Sequence, residues 1–336
     1  MEITVNKIPS PTWNWLRMND LKTESFSGHA GKREIVTTLP EALGEREDFS
    51  LDLKTGMGEE FAKEAKTAAG NVLSLSMPES VENVRTEIKY NIEDGIFNNL
   101  ELIAGKNSSS IVIMRYQGEN SGEAGIQTRF RVDDGAELTL VQIQETKNGT
   151  FNNDIGGKVG ENGKFRLIQL IVGGHDNRFG SFVSLEGKKA EFDSYMGYEL
   201  GGSDSLDINT VSDHTGRKTK ANINASGVLR GNSKKLFRGT IDFHRGCAGS
   251  KGDEMESVLL MDDDVDNKTI PVILCDEEDV EGNHGASIGK IDEDLMFYLK
   301  SRGMTEEAIY EMMAKAKIDS VIAKIPDEET RKALLK

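Results

Sequence analysis

At 336 residues the chain is long enough for one large domain or two ordinary ones, and a solenoid can exceed the usual domain size because its core grows lengthwise. The formal charge of −16 opposes binding to phosphate backbones, where affinity comes from Lys and Arg displacing counterions, so no nucleic acid is expected as a partner. Met1 to Asn19 lacks a basic start followed by an apolar stretch, no apolar run approaches the ~20 residues that cross a bilayer, and Cys247 and Cys275 alone do not make a disulfide framework; the expected compartment is the cytoplasm, with no membrane contact.

Residues 1–78 read as a mostly helical and irregular N-terminal region. Within it Glu59–Ala69 (EEFAKEAKTAA) concentrates helix formers, with acidic residues at the start where the helix dipole favours them, and predicts a helix. Residues 79–285 change character. Nothing between Pro78 and Pro271 is proline, and a central strand cannot spare the N–H that proline lacks, so continuous ladder pairing is predicted there. Ser110–Tyr116 (SIVIMRY), Ile126–Val132 (IQTRFRV), Glu137–Ile143 (ELTLVQI) and Phe165–Val172 (FRLIQLIV) are β-prone runs bounded by turn residues. Gly135, Gly149 and Gly163, then Gly187, Gly202, Gly216 and Gly231, recur roughly every 14 residues, a spacing that signals stacked units. Asp133-Asp134-Gly135, Glu161-Asn162-Gly163 and Asp94-Gly95 supply residues tolerant of positive φ at the turns. The pattern predicts a mainly β solenoid, with an antiparallel sandwich as the competing architecture.

Residues 286–336 read as a helical terminal domain. Asp292-Glu293-Asp294 opens a segment with Leu295, Tyr298 and Leu299 at helical spacing, and Gly303 sits where a helix would stop. Thr305 can cap a second helix carrying Ile309, Met312, Met313 and Ala316, and Pro326-Asp327-Glu328 starts a third.

Several catalytic signatures fail on inspection. Gly157–Phe165 approaches a phosphate loop, but its first glycine is one residue too far from Gly163-Lys164, and Phe165 replaces the Mg²⁺-binding hydroxyl. Asp262, Asp264 and Asp266 alternate as in a calcium loop, yet Asn267 stands where the sharp-turn glycine belongs and Ile273 where the bidentate Glu belongs. His29, His175, His214, His244 and His284 are scattered, without a Cys-x-x-Cys, so metal chemistry would have to assemble from distant turns or across an interface. Cys247, Cys275 and His284 are the candidate iron ligands by type. Cys275 ends an apolar run and is expected inside a strand core; Cys247, between Gly246 and Ala248-Gly249, is expected to be more exposed, with Arg245 and Lys251 near enough to lower its thiol pKa.

Four segments in order carry a specific resemblance: Phe237-Arg238-Gly239-Thr240-Ile241, Ser257–Met261 (SVLLM), Asn283–Gly289 (NHGASIG) and Phe297–Gly303 (FYLKSRG). Together they resemble the SufB/SufD family of iron–sulfur cluster assembly scaffolds, with weaker similarity at Asp207, Asp213-His214 and Val132–Leu138, over roughly residues 85–336. Gly285 after His284, and Met255 where a SufB-type chain has its cluster cysteine, make the chain SufD-like.

The resemblance implies a right-handed parallel β-helix flanked by helical segments, acting as a non-enzymatic scaffold. It implies pairing with a SufB-type subunit or a second copy, a SufC-type ATPase docked on the C-terminal helices, a cysteine desulfurase acting indirectly, and a transient iron–sulfur cluster. On this reading His284, on a turn after the β-core, is the main cluster-site residue. Phe237, Arg238, Gly239, Leu259 and Leu274 belong to the expected dimer contact, and Phe297, Tyr298, Ser301, Arg302, Gly303, Met312 and Met313 to the ATPase contact. Met312 and Met313 can equally be the buried face of a helix. A β-helix carbohydrate-active enzyme, a polysaccharide lyase or hydrolase, is the alternative from another class.

Overall fold

Strand takes up 52% of the chain and helix 15%, which makes the protein mainly β. The computed structural model describes residues 1–120 and 122–335. Five short strands come first, β1 (Glu2–Val5), β2 (Leu21–Glu24), β3 (His29–Ala30), β4 (Arg33–Thr37) and β5 (Leu43–Arg46), then helix α1 (Glu59–Ala69). Eight strands form the body of one sheet: β6 (Val72–Met77), β8 (Ile96–Ala104), β10 (Glu123–Val132), β12 (Thr150–Val159), β14 (Asp176–Leu185), β16 (Ser205–His214), β18 (Lys234–Phe243) and β20 (Asp266–Cys275). The alternate strands form the other: β7 (Val84–Ile92), β9 (Ser109–Glu119), β11 (Glu137–Lys147), β13 (Lys164–Ile171), β15 (Glu191–Leu200), β17 (Lys220–Leu229), β19 (Ser250–Leu260) and β21 (Val280–Gly289).

Successive strands of these two sets pair in parallel, so the chain passes through both sheets on every turn of a solenoid of about 8 turns. Parallel pairing rules out the sandwich. Asp176, Ser205 and Lys234 are register partners on consecutive turns, and Asp176 and Ser205 are 29 residues apart. A turn is therefore about twice the glycine spacing, and each recurring glycine marks a corner where one sheet gives way to the other. At Gly135 and Gly231 that corner requires φ of +68° and +63°, which a side chain would strain.

Alternate residues of each strand point between the sheets, and their apolar members stack into one continuous core. Phe130, Phe165 and Phe192 stack turn upon turn with centroids 3.8 and 5.7 Å apart. All three rings are fully buried, each worth about 1.5–3 kcal/mol of burial. Some polar groups inside pair with one another: Asn153 Nδ2, from the opposite sheet, and Gln169 Nε2, from the next turn, both donate to Gln142 Oε1, at 2.8 and 2.9 Å.

The outer faces are partly covered. Helix α1 forms where predicted, and Phe61 and Ala65 pack with Ile3, Val5 and Phe97. The remainder of residues 1–78 is less helical than the sequence suggests: it carries six strands, of which β6 already belongs to the solenoid, because pairing to β8 outweighs local preference. At the other end β21 runs to Gly289, past the expected boundary at 285. Helices α2 (Glu293–Ser301), α3 (Glu306–Ile322) and α4 (Glu328–Leu334) follow, capped by Asp292, by Thr305 as expected, and by Asp327. The end of α3 lies on the second sheet, where Val321, Ile322 and Ile325 cover Ile143, Ile168 and Leu170. Among the described residues no helix is long and apolar enough to cross a membrane.

Candidate functional site

A solenoid must end, and its last turn has no successor to cover it. Strands β20 and β21 each stand at the end of their sheet and pair on one side only, leaving a row of backbone donors and acceptors open. His284 lies in the middle of β21 and not on a turn, a correction to the sequence reading that follows from ladder pairing continuing through Gly289. It is the register partner of Glu254, so the two share the inward face of the second sheet; His284 is nonetheless exposed because nothing stacks above it.

Beneath it the interior becomes charged. Lys235 and Glu256 form an ion pair with both side chains fully enclosed. Glu256 also accepts from Tyr198 Oη at 3.2 Å and Thr269 Oγ1 at 2.5 Å, and Lys235 Nζ donates to the Lys268 carbonyl at 3.1 Å. Burial pushes the Lys235 ammonium down, opposed by the Glu256 charge. Glu254, 3% exposed, has its carboxyl pushed up to about 8 by burial and then by neighbouring Glu256, so it is largely protonated at neutral pH. Gly239 makes room for it, since a Cβ there would collide with the Glu254 carboxyl group. None of Lys235, Glu254 and Glu256 was singled out from sequence. The signal was there in the alternation: the inward phase set by Phe237 and Ile241 reaches back to Lys235, and that set by Val258 reaches back to Glu256 and Glu254.

The two cysteines exchange their expected environments. Cys275 pairs with Phe243 but is exposed at the end of the last turn, its Sγ 3.0 Å from the Glu277 carbonyl. Cys247 is buried with Ile241 and Phe243, and burial pushes its thiol up, a direction opposite to activation by Arg245 and Lys251. The reason is stacking: the corner after β18 is covered by the next turn, and the end of β20 is not.

The expected interface residues also need correction. Phe237, Arg238, Gly239 and Leu259 are enclosed within the chain itself, and of the five only the half-buried Leu274 reaches the surface. Arg238 donates to Asp207 Oδ1 at 2.6 Å and to the Met18 carbonyl at 2.7 Å, tying the N-terminal region to the solenoid. Leu259 packs beneath α3 with Val228 and Ala314. On the helices, Phe297 is 75% exposed, and Tyr298, Ser301, Arg302 and Gly303 are exposed beside it, with the Arg302 guanidinium 5.1 Å from the Tyr298 ring. Met312 is exposed as well, whereas Met313 turns inward against the Val228–Leu259–Ala314 cluster, so the buried-face reading holds for one methionine of the pair.

Residues 88–317 match the family described as SUF system FeS cluster assembly, SufBD core domain. The chain is 23% identical to the iron-sulfur cluster assembly protein SufD of Bacillus subtilis (strain 168), over 72% of this chain and 57% of that protein. It is 22% identical to an iron-sulfur cluster assembly SufBD family protein of Mycobacterium leprae (strain TN), over 71% of this chain and 63% of that one. An iron-sulfur cluster assembly SufBD family protein of Mycobacterium tuberculosis (strain ATCC 25618 / H37Rv) is likewise 22% identical, over 71% and 62%. The chain thus spans less than two thirds of the length of these relatives. With the matched region covering most of the β-solenoid and part of the C-terminal helices, the chain belongs to the SufBD family of iron–sulfur cluster assembly proteins, with a SufD-like character.

Proposed function

We propose that this chain is a cytoplasmic scaffold subunit for iron–sulfur cluster assembly. On this reading it joins a SufB-type subunit or a second copy through β20 and β21, docks a SufC-type ATPase on α2 and α3, and catalyses no reaction itself. The observation that carries the reading is the uncovered last turn. Two adjacent open strand edges are a strong template for pairing, and a two-fold partner satisfies both at once. His284 and Cys275 sit on those same strands, so a partner bound there would close over an imidazole and a thiol, donor types suited to iron. The cluster is cargo, assembled from iron and from sulfur that a cysteine desulfurase supplies at one remove, and one imidazole with one thiol holds it only with ligands from the other chain. Buried Cys247 would contribute only after a local opening. Exposed Phe297 and Tyr298 on α2, with Arg302 over the Tyr298 ring, and exposed Met312 on α3 support the helices as the ATPase contact.

Co-purification with candidate partners, followed by iron and sulfide analysis, tests the proposal. The variant His284→Ala is expected to keep its thermal midpoint and the mass of the complex while lowering cluster yield; normal clusters in this variant and in Cys275→Ser would reduce the role to pairing and docking. The paired substitution Phe297→Asp and Tyr298→Ala tests the ATPase contact better than removing residues 292–336, because that truncation would strip the cover from Ile143, Ile168 and Leu170. Undiminished ATPase capture by the paired variant would reject the docking surface, and a monomeric mass at micromolar concentration with every partner would reject the pairing.

A further inference from the structure

Outside the last turn, three metal-ligating side chains from two adjacent turns converge on the outer face of the first sheet. Ser184, Asp213 and Asp242 occupy the same register position on β14, β16 and β18. Buried His214 and Phe243 follow them on the inward phase, so His244, one residue further, returns to the outward side beside the two carboxylates. His244 Nε2 lies 2.6 Å from Asp213 Oδ1 and 3.5 Å from Asp242 Oδ2, and one donor atom from each of the three residues lies within 4.8 Å of the others.

We propose that Asp213, Asp242 and His244 bind a divalent first-row transition ion. Donors around such an ion at about 2.0–2.2 Å stand roughly 3–4 Å apart, so small rotations of His244 and Asp242 suffice to turn the present cluster into a three-ligand site. The strands supply the rest. Ladder pairing fixes the backbones of Asp213 and Asp242 side by side, and Ser184 Oγ donates to Asp213 Oδ2 at 2.8 Å, orienting that carboxylate and leaving Oδ1 directed at the imidazole. Two stacked carboxylates repel one another, and among the described residues no Lys or Arg forms an ion pair with either; the only ion-pair partner of both is His244. A cation between them relieves that repulsion. All three side chains keep partial access to solvent, which leaves open positions for water or a small ligand. One nitrogen and two carboxylate oxygens suit Mn²⁺, Fe²⁺, Co²⁺ or Zn²⁺ better than Mg²⁺ or Ca²⁺, which take oxygen alone.

Co²⁺ is the probe, because its visible bands report nitrogen and oxygen ligation and a thiolate ligand would add a separate charge-transfer band. Titration of the full chain is expected to show one tight Co²⁺ with visible bands, no thiolate band, and no displacement by excess Mg²⁺. His244→Ala and Asp242→Asn should each weaken binding by at least about 10-fold, and Ser184→Ala by roughly 10- to 100-fold if it orients Asp213 as argued. Cys275→Ser and His284→Ala should leave Co²⁺ binding unchanged, which separates this site from the cluster ligands proposed above. Binding that survives both His244→Ala and Asp242→Asn in proteins with unaltered circular dichroism, or that is displaced by Mg²⁺, would overturn the assignment.

Discussion

Glu254 offers a direct measure of how the solenoid interior treats charge. Its carboxyl stands at about 8 instead of its ordinary 4.5, first because it is buried and second because Glu256 is close. The folded state therefore holds a proton that the unfolded chain has released, and stability falls as pH rises between the two values. The stabilising contribution of the neutral group is complete below about 4.5 and is lost progressively up to about 8. At about 1.4 kcal/mol per tenfold change in proton affinity, the full interval corresponds to roughly 5 kcal/mol, an upper bound that water entry and rearrangement of the Lys235–Glu256 pair reduce to a few kcal/mol. Replacing the carboxyl with the neutral isostere in Glu254→Gln removes this dependence. Urea unfolding of both proteins from about pH 5 to about pH 8.5 should show similar stabilities at the acid end and a variant more stable by ~2–5 kcal/mol at the alkaline end. Parallel profiles for the two proteins would refute the argument, because they would mean that Glu254 is ionised in the fold and fully compensated.

The space that Gly239 leaves for Glu254 predicts that Gly239→Ala costs about 1–3 kcal/mol in urea unfolding, and that most of this cost disappears when Glu254→Ala is combined with it. Burial raises the Asp327 carboxyl, but hydrogen bonds from Arg85 and Thr330 override that and hold it at about 2, so the stability it contributes is present above about 4 and lost as pH falls through about 2. Asp327→Ala, which removes both the α4 cap and the Arg85 pair, should cost ~1–2 kcal/mol at neutral pH and flatten the acid limb of the stability profile. In native protein a maleimide should label Cys275 rapidly and Cys247 only after denaturant is added; equal rates in the native state would contradict the placement of the two thiols.

Short-range chemistry was legible from the residues alone. Helix α1 and the cap at Thr305 depend on neighbours within a turn of helix, and Gly135 and Gly231 depend on the φ their own corner demands. Strand existence followed from runs of β-prone residues, and the ordered segments from Phe237 to Gly303 led to the family that residues 88–317 match. Exposure was decided elsewhere. Whether Cys275 is core or surface, and whether His284 ends on a turn or on an open strand, depends on which strand is last and on what stacks over it. Phe237 faces the core between the sheets, and Arg238 and Leu259 are covered by the N-terminal region and α3, none of which a local segment reveals. Inward-facing Lys235 and Glu256 meet from opposite sheets, 21 residues apart, and outward-facing Asp213 meets Asp242 and His244 across a full turn of chain. Alternation along one strand assigns each side chain to a face, but only the register between turns brings particular side chains within bonding distance, because that register is set by the packing of the whole core and not by any local segment.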